Sequence, residues 1–461
     1  MPSRRAASLT LGLGLSILAA GCSLFRAAPA PAPIAITSTT TQSGDVTVTT
    51  LSNGITLLHK SNPSNAIVAV RVLSRWGAVN DPDEKIGRAR LMMRLLEKGT
   101  SHRDADEISD TLEGLGASVN TSDNYDTVGA SLRCVRADLK RAFEVFSDVL
   151  LNPTFPIEEI DAEKQRVLAE IRMRDDRTPL ATMKRFRSAL FAPHPYGRPL
   201  EGEPETVMKL GQIDLAEAHE AAMTPENLIV AVVGDISAED AHELIEEHFG
   251  HLPRGATSRT EARKSFAPRA TREEFSRDVE QGFVVLGHTT GPATDPDSAS
   301  LDVATAILGQ GMSSRLFTEL RDKRSLAYMV GASTAEYQHG GMFLSYIGTS
   351  PETVDAAEEG LWEQVRLLRA EPVAEDELER AKNYLAGGYL REHETNAGQA
   401  RYLAYWQFLG LGPEADDQYT ARIRAVTSRD VMRVANKYFT DPTVVILRPL
   451  ASARGAEIPA M

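Results

Sequence analysis

Apolar side chains recur along this chain with two spacings, one typical of strands and one typical of helices. Residues 67–73 form a run of apolar and β-branched side chains, and residues 117–134 alternate between apolar and polar around a turn at 122–124. Both patterns predict β-strands. Apolar residues three or four positions apart in 139–150 and in 157–171 predict two helices. Because strands and helices come in groups rather than in strict alternation, the pattern indicates an α+β fold.

The same arrangement occurs twice along the chain. An amphipathic helix that begins at Asp214 is followed by an apolar run, and 216 positions later Asp430 opens a similar helix with a similar run behind it. Glu159 and Glu377, each in a helix that follows a proline, lie 218 positions apart. A repeat of this length indicates two homologous domains rather than a solenoid. We predict an N-terminal domain, a linker, a C-terminal domain and a tail at 44–255, 256–271, 272–450 and 451–461.

The charge balance and the cysteine content exclude some kinds of partner and of fold stabilisation. The 461 residues include 50 Lys+Arg against 64 Asp+Glu, which gives a formal net charge of −14. The chain therefore has no overall basic footprint for a phosphate backbone, and we expect no nucleic-acid partner. Two cysteines cannot form a disulfide framework, so each domain must be held together by its apolar core.

The first 22 residues have the organisation of a secretory signal. Arg4 and Arg5 precede about twelve mostly apolar residues at 9–20, and Gly21 and Cys22 follow. The apolar run is shorter than the roughly 20 residues that span a bilayer as a helix. The small residues before the cysteine resemble the bacterial lipoprotein box, which implies that Cys22 is lipidated. The alternative is a plain secreted protein in which this cysteine is unmodified.

Residues 23–43 are expected to tether the first domain to a membrane. They are rich in Ala, Pro, Thr and Ser and poor in large apolar groups, so they cannot bury enough surface to order themselves. Ser23, directly after the cysteine, resembles lipoproteins that are sent on to the outer membrane. We therefore expect a lipid-anchored protein of the bacterial cell envelope, on the outer membrane and facing the periplasm.

Several motifs resemble one family of enzymes. A helix expected over residues 85–98 ends in Lys-Gly-Thr, and three further motifs follow it in the chain: His194-Pro195-Tyr196-Gly197, Val232-Val233-Gly234-Asp235 and Ser314-Arg315-Leu316-Phe317. They are similar to the pitrilysin or insulinase family of metallopeptidases, in its bacterial two-domain branch related to mitochondrial processing peptidase. The resemblance covers essentially the whole mature chain. It implies two homologous α+β domains of the metalloprotease-like type, packed as one half of a clam-like chamber.

The zinc motif of that family is missing from this chain. Active members carry His-x-x-Glu-His on this helix, where two imidazoles one turn apart bind zinc and the Glu activates a water molecule. Alignment on Lys-Gly-Thr places Arg90 and Arg94 at the histidine positions and Met93 at the glutamate position. A guanidinium group has no lone pair for a metal, and a thioether is no general base. The resemblance places Glu170 at the third ligand position, so one carboxylate of the set remains.

We accordingly predict neither a metal site nor a cofactor in this chain. His248 and His251, the closest remaining histidine pair, stand at a helix end, where a capping or surface role is typical. For Arg94, together with Arg90 or alone, we hypothesise an ion pair with Glu170 that closes the gap zinc fills in active members. The alternative is that both arginines extend into solvent.

The resemblance also implies that substrate-binding residues are retained. Arg321 and Tyr328 match an Arg and a Tyr, seven residues apart, that in the family come from the half without zinc and hold a substrate carbonyl near the metal. A cation and a phenol can together stabilise a developing oxyanion. Ser325 stands where the family usually has glycine, which is expected to stiffen that turn. Asn120 belongs to a segment that resembles the sheet edge on which the family binds extended peptides, although an ordinary hairpin fits the pattern equally well.

These observations predict a non-catalytic, substrate-binding subunit of a heteromeric zinc metalloendopeptidase that acts on unfolded peptides in the cell envelope. The zinc is expected in a partner subunit of the same family, and the two chains would form a heterodimer. A stand-alone peptide-binding or scaffold lipoprotein is an alternative, and an autonomous zinc metallopeptidase would need ligands that the sequence does not contain. Cys134 has the pattern of a core residue, and Ser314 has no histidine partner that would suggest a serine hydrolase.

Overall fold

The computed structural model describes residues 41–255 and 270–450, with the side chains of 41–43 left out. The predicted signal with Cys22, the tether up to residue 40, most of the linker and the tail lie outside the described residues. The described residues all fall within one compact unit. Among them, no helix combines the length and the apolar composition needed to cross a bilayer.

The first half of the chain forms a seven-stranded sheet. Its order is β1-β2-β3-β7-β4-β6-β5, and every neighbouring pair is antiparallel except β3 with β7. The strands of this sheet are β1 Thr41–Ser43, β2 Val46–Thr50, β3 Thr56–Ser61, β4 Ile67–Ser74, β5 Ser118–Asp123, β6 Val128–Val135 and β7 Leu228–Gly234. Among the strands of 41–255 and 270–450, β5 pairs with β6 alone, so one of its sides is an open sheet edge.

The second half forms a five-stranded sheet with a related topology. Its order is β10-β11-β9-β12-β8, and only β12 with β8 is parallel. The strands of this sheet are β8 Thr271–Arg277, β9 Gly282–Thr290, β10 Met329–Tyr337, β11 Gly340–Thr349 and β12 Thr443–Pro449. Strand β10 takes the edge position that β5 takes in the first sheet.

Fourteen α-helices accompany the two sheets within the described residues. They are α1 Arg88–Leu95, α2 Ala105–Gly114, α3 Leu139–Leu151, α4 Ile157–Asp176, α5 Thr178–Phe191, α6 Pro204–Val207, α7 Gln212–Ala222, α8 Ala238–Phe249, α9 Ser298–Gly309, α10 Val354–Ala370, α11 Glu375–Glu392, α12 Asn396–Phe408, α13 Glu414–Ala425 and α14 Ser428–Tyr438. A π-helical segment, Phe317–Lys323, precedes β10. Side-chain caps stabilise the N-termini of several helices. At α2, the Asp104 side chain accepts from the Glu107 backbone N–H, and the Glu107 carboxylate accepts from the Asp104 backbone N–H.

The expected α+β class is confirmed, and the two halves repeat the same elements. Helices α11 and α12 begin at residues 375 and 396, each 218 positions after α4 and α5, which begin at 157 and 178. The predicted strands and helices of the first half appear as β4, β5, β6, α3 and α4. Each sheet covers an apolar core on one face, with α1, α3, α7 and α8 in the first half and α9, α10 and α14 in the second.

The structure differs from the predicted segment boundaries at two places. Residues 41–43, assigned to the tether, form β1, and Thr271, assigned to the linker, opens β8. Both strands pair through backbone groups and carry few apolar side chains, so the hydrophobic pattern does not mark them. The boundaries of the two domains otherwise stay predictions.

The halves exchange one helix each. Helix α5 of the first half packs on β9 and β12 of the second sheet, and α12 of the second half packs on β4 and β7 of the first. Phe186 of α5 is fully buried in a cluster with Phe283 of β9 and Leu447 of β12. The approach is close, since a Cβ placed on Gly287 would lie 2.6 Å from the Phe186 ring. The exchange covers the second face of each sheet.

Candidate functional site

Helix α1 carries the positions at which the family that the sequence resembles binds zinc. It is shorter than the predicted 85–98, because Gly87 adopts a left-handed φ of +97° and starts the helix at Arg88, and a 3-10 turn follows at Leu96–Lys98. A side chain at Gly87 would clash, since a Cβ there would lie 2.7 Å from the Glu201 carbonyl oxygen. The buried face of α1 packs into the first core and leaves Arg90 and Arg94, one turn apart, on its other face.

Both arginines are held by carboxylates. Arg94 donates two hydrogen bonds to Glu170 on α4, at 2.7 and 2.6 Å, in the bidentate geometry that gives the strongest pairs. Its Nε lies 2.8 Å from Glu163 on the same helix. Arg90 donates to Asp123 at the end of β5, at 2.9 Å, and lies 3.5 Å from Glu201. The structure thus contains the hypothesised Arg94–Glu170 pair as part of a larger network.

The network is partly open to solvent. The Arg94 and Glu170 side chains are 30% and 40% exposed, whereas Glu163 is 5% exposed. Hydrogen bonds from Arg94 hold the pKa of Glu170 below its ordinary value, and the bonds to Glu170 raise the pKa of Arg94. Both groups therefore carry their charges at neutral pH. The alternative in which the arginines simply extend into solvent does not describe this geometry.

These residues do not fit a zinc ion. Two guanidinium groups replace the imidazoles, and both Glu170 oxygens are engaged by Arg94. Met93, at the position of the general base, is buried in the core with 1% exposure. Within residues 41–255 and 270–450, no group of three or more His, Cys, Asp or Glu residues could hold a metal.

Arg321 and Tyr328 lie on either side of a tight turn before β10. Arg321 is exposed on the π-helical segment, and its guanidinium carbon stands 4.8 Å from the centre of the Phe317 ring. Tyr328 is 42% exposed, its backbone N–H donates to the Gly348 carbonyl, and its ring covers Gly348. Ser325 between them adopts a left-handed φ of +52°. A non-glycine residue in that conformation carries backbone strain. The expected stiffening of this turn stays a prediction.

Asn120 lies on the open edge of the first sheet. It is exposed in the middle of β5, opposite Ser131 of β6. Asp123, which binds Arg90, ends the same strand. The open edge therefore leads directly to the face of α1 that carries the two arginines.

Comparison with known proteins identifies the family. Residues 56–204 match the insulinase family, peptidase family M16, and residues 210–385 match the family described as the peptidase M16 inactive domain. A protein of Mycobacterium leprae named an uncharacterized zinc protease is 30% identical over 427 residues, which cover 90% of this chain and 94% of the relative. This chain belongs to peptidase family M16. The resemblance to the pitrilysin or insulinase family is thereby confirmed.

Other M16 relatives and solved structures extend over similar lengths. The zinc protease YmxG of Bacillus subtilis, also named uncharacterized, is 27% identical over 402 residues, which cover 86% of this chain and 97% of YmxG. The structure of a peptidase M16 inactive domain from Pseudomonas fluorescens superposes with a TM-score of 0.82 at 24% identity, covering 88% of this chain and 99% of that one. A protease from Helicobacter pylori gives the same values. The structural likeness shows the M16 fold.

The carboxylates that hold the arginines of this M16 protein were partly missed by sequence reasoning. Glu163 is seven residues before Glu170, so it lies two turns away on the same face of α4 and could have been found from that spacing. Asp123 and Glu201 come from a strand end and a loop, and no local pattern connects them to Arg90.

The remaining polar residues have structural roles. Cys134 is 2% exposed, and burial raises the pKa of its thiol to about 11, so it is no thiolate nucleophile at neutral pH. The Ser314 hydroxyl donates to the Gly311 carbonyl. His248 shares a hydrogen bond of 2.8 Å with Ser147 and packs edge-on against Phe143, which fits neither a metal site nor a base.

Proposed function

We propose that this M16 protein is the non-catalytic, substrate-binding subunit of a heteromeric zinc metalloendopeptidase. The observation that carries the proposal is the state of α1, where Arg90 and Arg94 are locked to carboxylates and leave no ligand set for zinc. The zinc would belong to a second M16 chain with an intact His-x-x-Glu-His motif. The substrates would be unfolded peptides, enclosed between the two chains.

Arg321 and Tyr328 are the groups that this chain would contribute to the reaction. Among the described residues, Arg321 has no carboxylate partner, so its donors are available to a substrate carbonyl. Burial raises the pKa of Tyr328, so its hydroxyl keeps its proton at neutral pH and can donate. Two donors aimed at a developing oxyanion stabilise the charge that forms during amide hydrolysis.

The open edge of β5 supports peptide binding. An extended peptide can add to an exposed strand through backbone hydrogen bonds, which give affinity with little demand on side chains. Asn120 lies on this edge and would flank the added strand. Such binding requires no metal in this chain.

The test is reconstitution with the candidate partner. Purified chain is mixed with the zinc-bearing M16 protein of the same organism, and cleavage of an unfolded peptide is followed. We expect a stoichiometric complex whose kcat/KM is at least ten-fold above that of the partner alone. Arg321→Ala and Tyr328→Phe should each remove most of this gain without preventing complex formation, because one oxyanion donor is worth roughly 10²–10³ in rate. Lys323→Ala, an exposed cation on the same segment, is the control and should retain it.

The other outcomes identify the alternatives. A chain that binds unfolded peptide but forms no complex and enhances no cleavage would be a stand-alone binding or scaffold protein. One zinc per purified chain, together with peptide cleavage that a chelator abolishes, would establish an autonomous protease and overturn the proposal.

We also propose that the protein is anchored in the cell envelope by lipid on Cys22, with the outer membrane as its destination. Metabolic labelling with a radioactive fatty acid should mark the wild-type chain, and Cys22→Ala should be unlabelled and released from the membrane fraction. Ser23→Asp tests the destination, since it should retain the labelled chain in the inner membrane. An unlabelled wild-type chain in the soluble periplasmic fraction would contradict the anchor.

A further inference from the structure

A cavity lies between the two halves, next to the arginine-bearing face of α1. It has a volume of about 280 Å³ and is bounded by β4 and β5 of the first sheet, the end of β10, and α12. Ligand pockets have volumes of about 300–1,000 Å³, so this one suits a small molecule or a single residue of a peptide. Asp123, which binds Arg90, is part of its wall.

Arg71 supplies an uncompensated positive charge in this cavity. It lies on β4 two residues before Leu73, so its side chain is on the sheet face that α12 covers. Its only hydrogen bond within the described residues is from Nη2 to the Ser122 hydroxyl, at 2.7 Å, and no carboxylate there pairs with it. Its Nε and Nη1 are neither hydrogen-bonded nor sealed from solvent, so they are open to the cavity.

A second arginine adds positive charge near Arg71. Arg401 of α12 lines the same cavity, half-exposed, and stacks 4.3 Å from the centre of the Tyr402 ring; its Nη2 also donates to Glu392, outside the cavity wall, at 2.5 Å. Burial, and after it the charge of Arg401, lower the pKa of Arg71 to about 10. An ionised group that is removed from water without a counter-ion is costly, so an anion placed beside Arg71 would be favoured.

The acidic groups of the wall do not supply that anion. Asp123 is bound by Arg90. Glu336 accepts from the Ser298 hydroxyl at 2.6 Å and keeps its proton at neutral pH because burial raises its pKa to about 8. Asp126 accepts from the Tyr196 hydroxyl at 2.7 Å and from the Gln338 backbone N–H at 2.8 Å. The remainder of the wall is largely apolar and aromatic, with Tyr405 and Phe408 of α12.

We propose that this cavity binds a carboxylate that carries an aromatic or apolar body. The carboxylate accepts from the free N–H groups of Arg71, and the body packs against Tyr402, Tyr405 and Phe408. Two sources have this chemistry, a small aromatic acid and the C-terminal residue of a peptide. The proposal does not depend on a zinc-bearing partner, because every residue that it uses belongs to this chain.

The test is calorimetric titration of the full chain with four probes. N-acetylphenylalanine has a terminal carboxylate and N-acetylphenylalanine amide a neutral amide of similar size, and a ten-residue peptide ending in Phe is used with a free and with an amidated C-terminus. We expect each acid to bind at least ten-fold more tightly than its amide, since charge-assisted hydrogen bonds are about twice as strong as neutral ones. Binding of the small acid alone identifies a small-molecule site, and binding of both acids in mutual competition identifies a site for peptide C-termini.

Variants connect the binding to the cavity. Arg71→Gln should weaken the acids at least ten-fold and leave the amides unchanged. Arg401→Gln, at a half-exposed position, should fold normally and weaken the acids several-fold, so the test holds even where Arg71→Gln is unstable. Arg133→Gln is the matched control, since Arg133 lies on the same sheet face, exposed and outside the cavity. Equal binding of acids and amides, or acid binding that neither cavity variant changes, would overturn the proposal.

Discussion

At Arg94, one guanidinium group binds two carboxylates, Glu163 and Glu170, that lie two turns apart on one face of α4. Because Arg94 has two carboxylate partners, the loss of one of them should lower the free energy of unfolding only slightly. After loss of Glu170, Arg94 still has Glu163 at 2.8 Å, and the Arg94 and Glu170 side chains are 30% and 40% exposed. The large cost expected of a fully buried pair, about 3–5 kcal/mol, therefore does not apply here.

We predict that Glu170→Gln lowers the free energy of unfolding by about 1 kcal/mol or less, as for exposed pairs. The double variant Glu163→Gln/Glu170→Gln should lower the free energy of unfolding by about 1–2 kcal/mol more than the sum of the two single changes, because only the double variant leaves Arg94 without both carboxylates. Urea denaturation of the four proteins measures this coupling. Glu158→Gln, an exposed position at the start of the same helix, serves as the control. Additive effects would mean that the carboxylates do not share the arginine.

The same geometry predicts how metal binding could be regained. Arg90→His/Arg94→His would place two imidazoles one turn apart on a face of α1 already within reach of Glu170, which completes three zinc ligands. We expect one zinc per chain in the double variant and none in the wild type, measured by metal analysis after dialysis. Adding Glu170→Ala to the double variant should abolish the binding. A double variant that retains no zinc would show that α1 and α4 are wrongly spaced for a metal.

Among the elements, the turn between the π-helical segment and β10 is strained at Ser325, with its φ of +52°. A residue other than glycine in the left-handed conformation lowers the free energy of unfolding by roughly 1–2 kcal/mol. Glycine removes this strain, but part of the gain is lost because glycine makes the unfolded chain more flexible. We predict that Ser325→Gly raises the free energy of unfolding by about 0.5–1 kcal/mol. Ser333→Gly, inside β10, should lower it by a similar amount. Urea denaturation checks both signs, and a destabilised Ser325→Gly would rule out strain at this turn.

The sequence predicts elements well where they bury a periodic face and poorly where they do not. Strand β4 and helix α3 carry continuous apolar patterns, and their observed bounds lie close to the predicted ones. Strand β8 has mostly charged and exposed side chains and joins the sheet through its backbone, so no hydrophobic period reveals it. Likewise, the Arg94–Glu170 pair could be predicted because both residues stand at positions of a family motif. The partners of Arg90 could not, because only the tertiary structure brings them close to it.

At the scale of the whole molecule, the exchanged helices α5 and α12 couple the two halves. Helical periodicity shows that one face of α5 is apolar, but nothing in the sequence says that the sheet of the other half covers it. Because each half buries part of its sheet only under the other half's helix, we expect neither to unfold alone.

We predict one calorimetric transition whose calorimetric and van't Hoff enthalpies agree. Phe186→Ala, on α5, should lower the free energy of unfolding by about 3–5 kcal/mol and still give one transition, because the cavity forms at the shared interface. Leu180→Ala, on the same helix but 43% exposed, is the control and should have a small effect. Two separate transitions would contradict the coupling.

The pH dependence of stability should reflect a buried acidic pair beside the inter-half cavity. Burial, and after it the neighbouring Asp302, raise the pKa of Glu336 to about 8, and burial raises that of Asp302 to about 6. Ser298 of α9 donates to Glu336, Tyr419 of α13 donates to Asp302, Asp295 adds a further negative charge, and Arg422 of α13 opposes the increase. The folded state thus binds these protons more tightly than the unfolded state does.

Stability from this pair is therefore fully present at low pH, falls as pH rises from about 4 to about 8, and then levels off. We predict that the urea midpoint of the wild type decreases between pH 5 and pH 9 and that Glu336→Gln decreases less. Glu352→Gln, at an exposed position, should follow the wild type. Identical slopes for all three proteins would show that Glu336 ionises normally in the folded chain.

The arginine network on α1 also constrains how such a protein can change by descent. A lineage that replaced Arg94 alone would leave Glu170 without its ion-pair partner and Glu163 with Arg166 only. Replacing Arg90 alone would leave Asp123 without its partner and Glu201 with Arg174 only. Each single replacement by histidine removes an ion pair and still supplies only one imidazole of the two that a zinc site on α1 would use. We therefore expect a zinc site to arise in such a lineage only when both arginines are replaced together, because neither single replacement gives a metal-binding advantage to offset the lost ion pair.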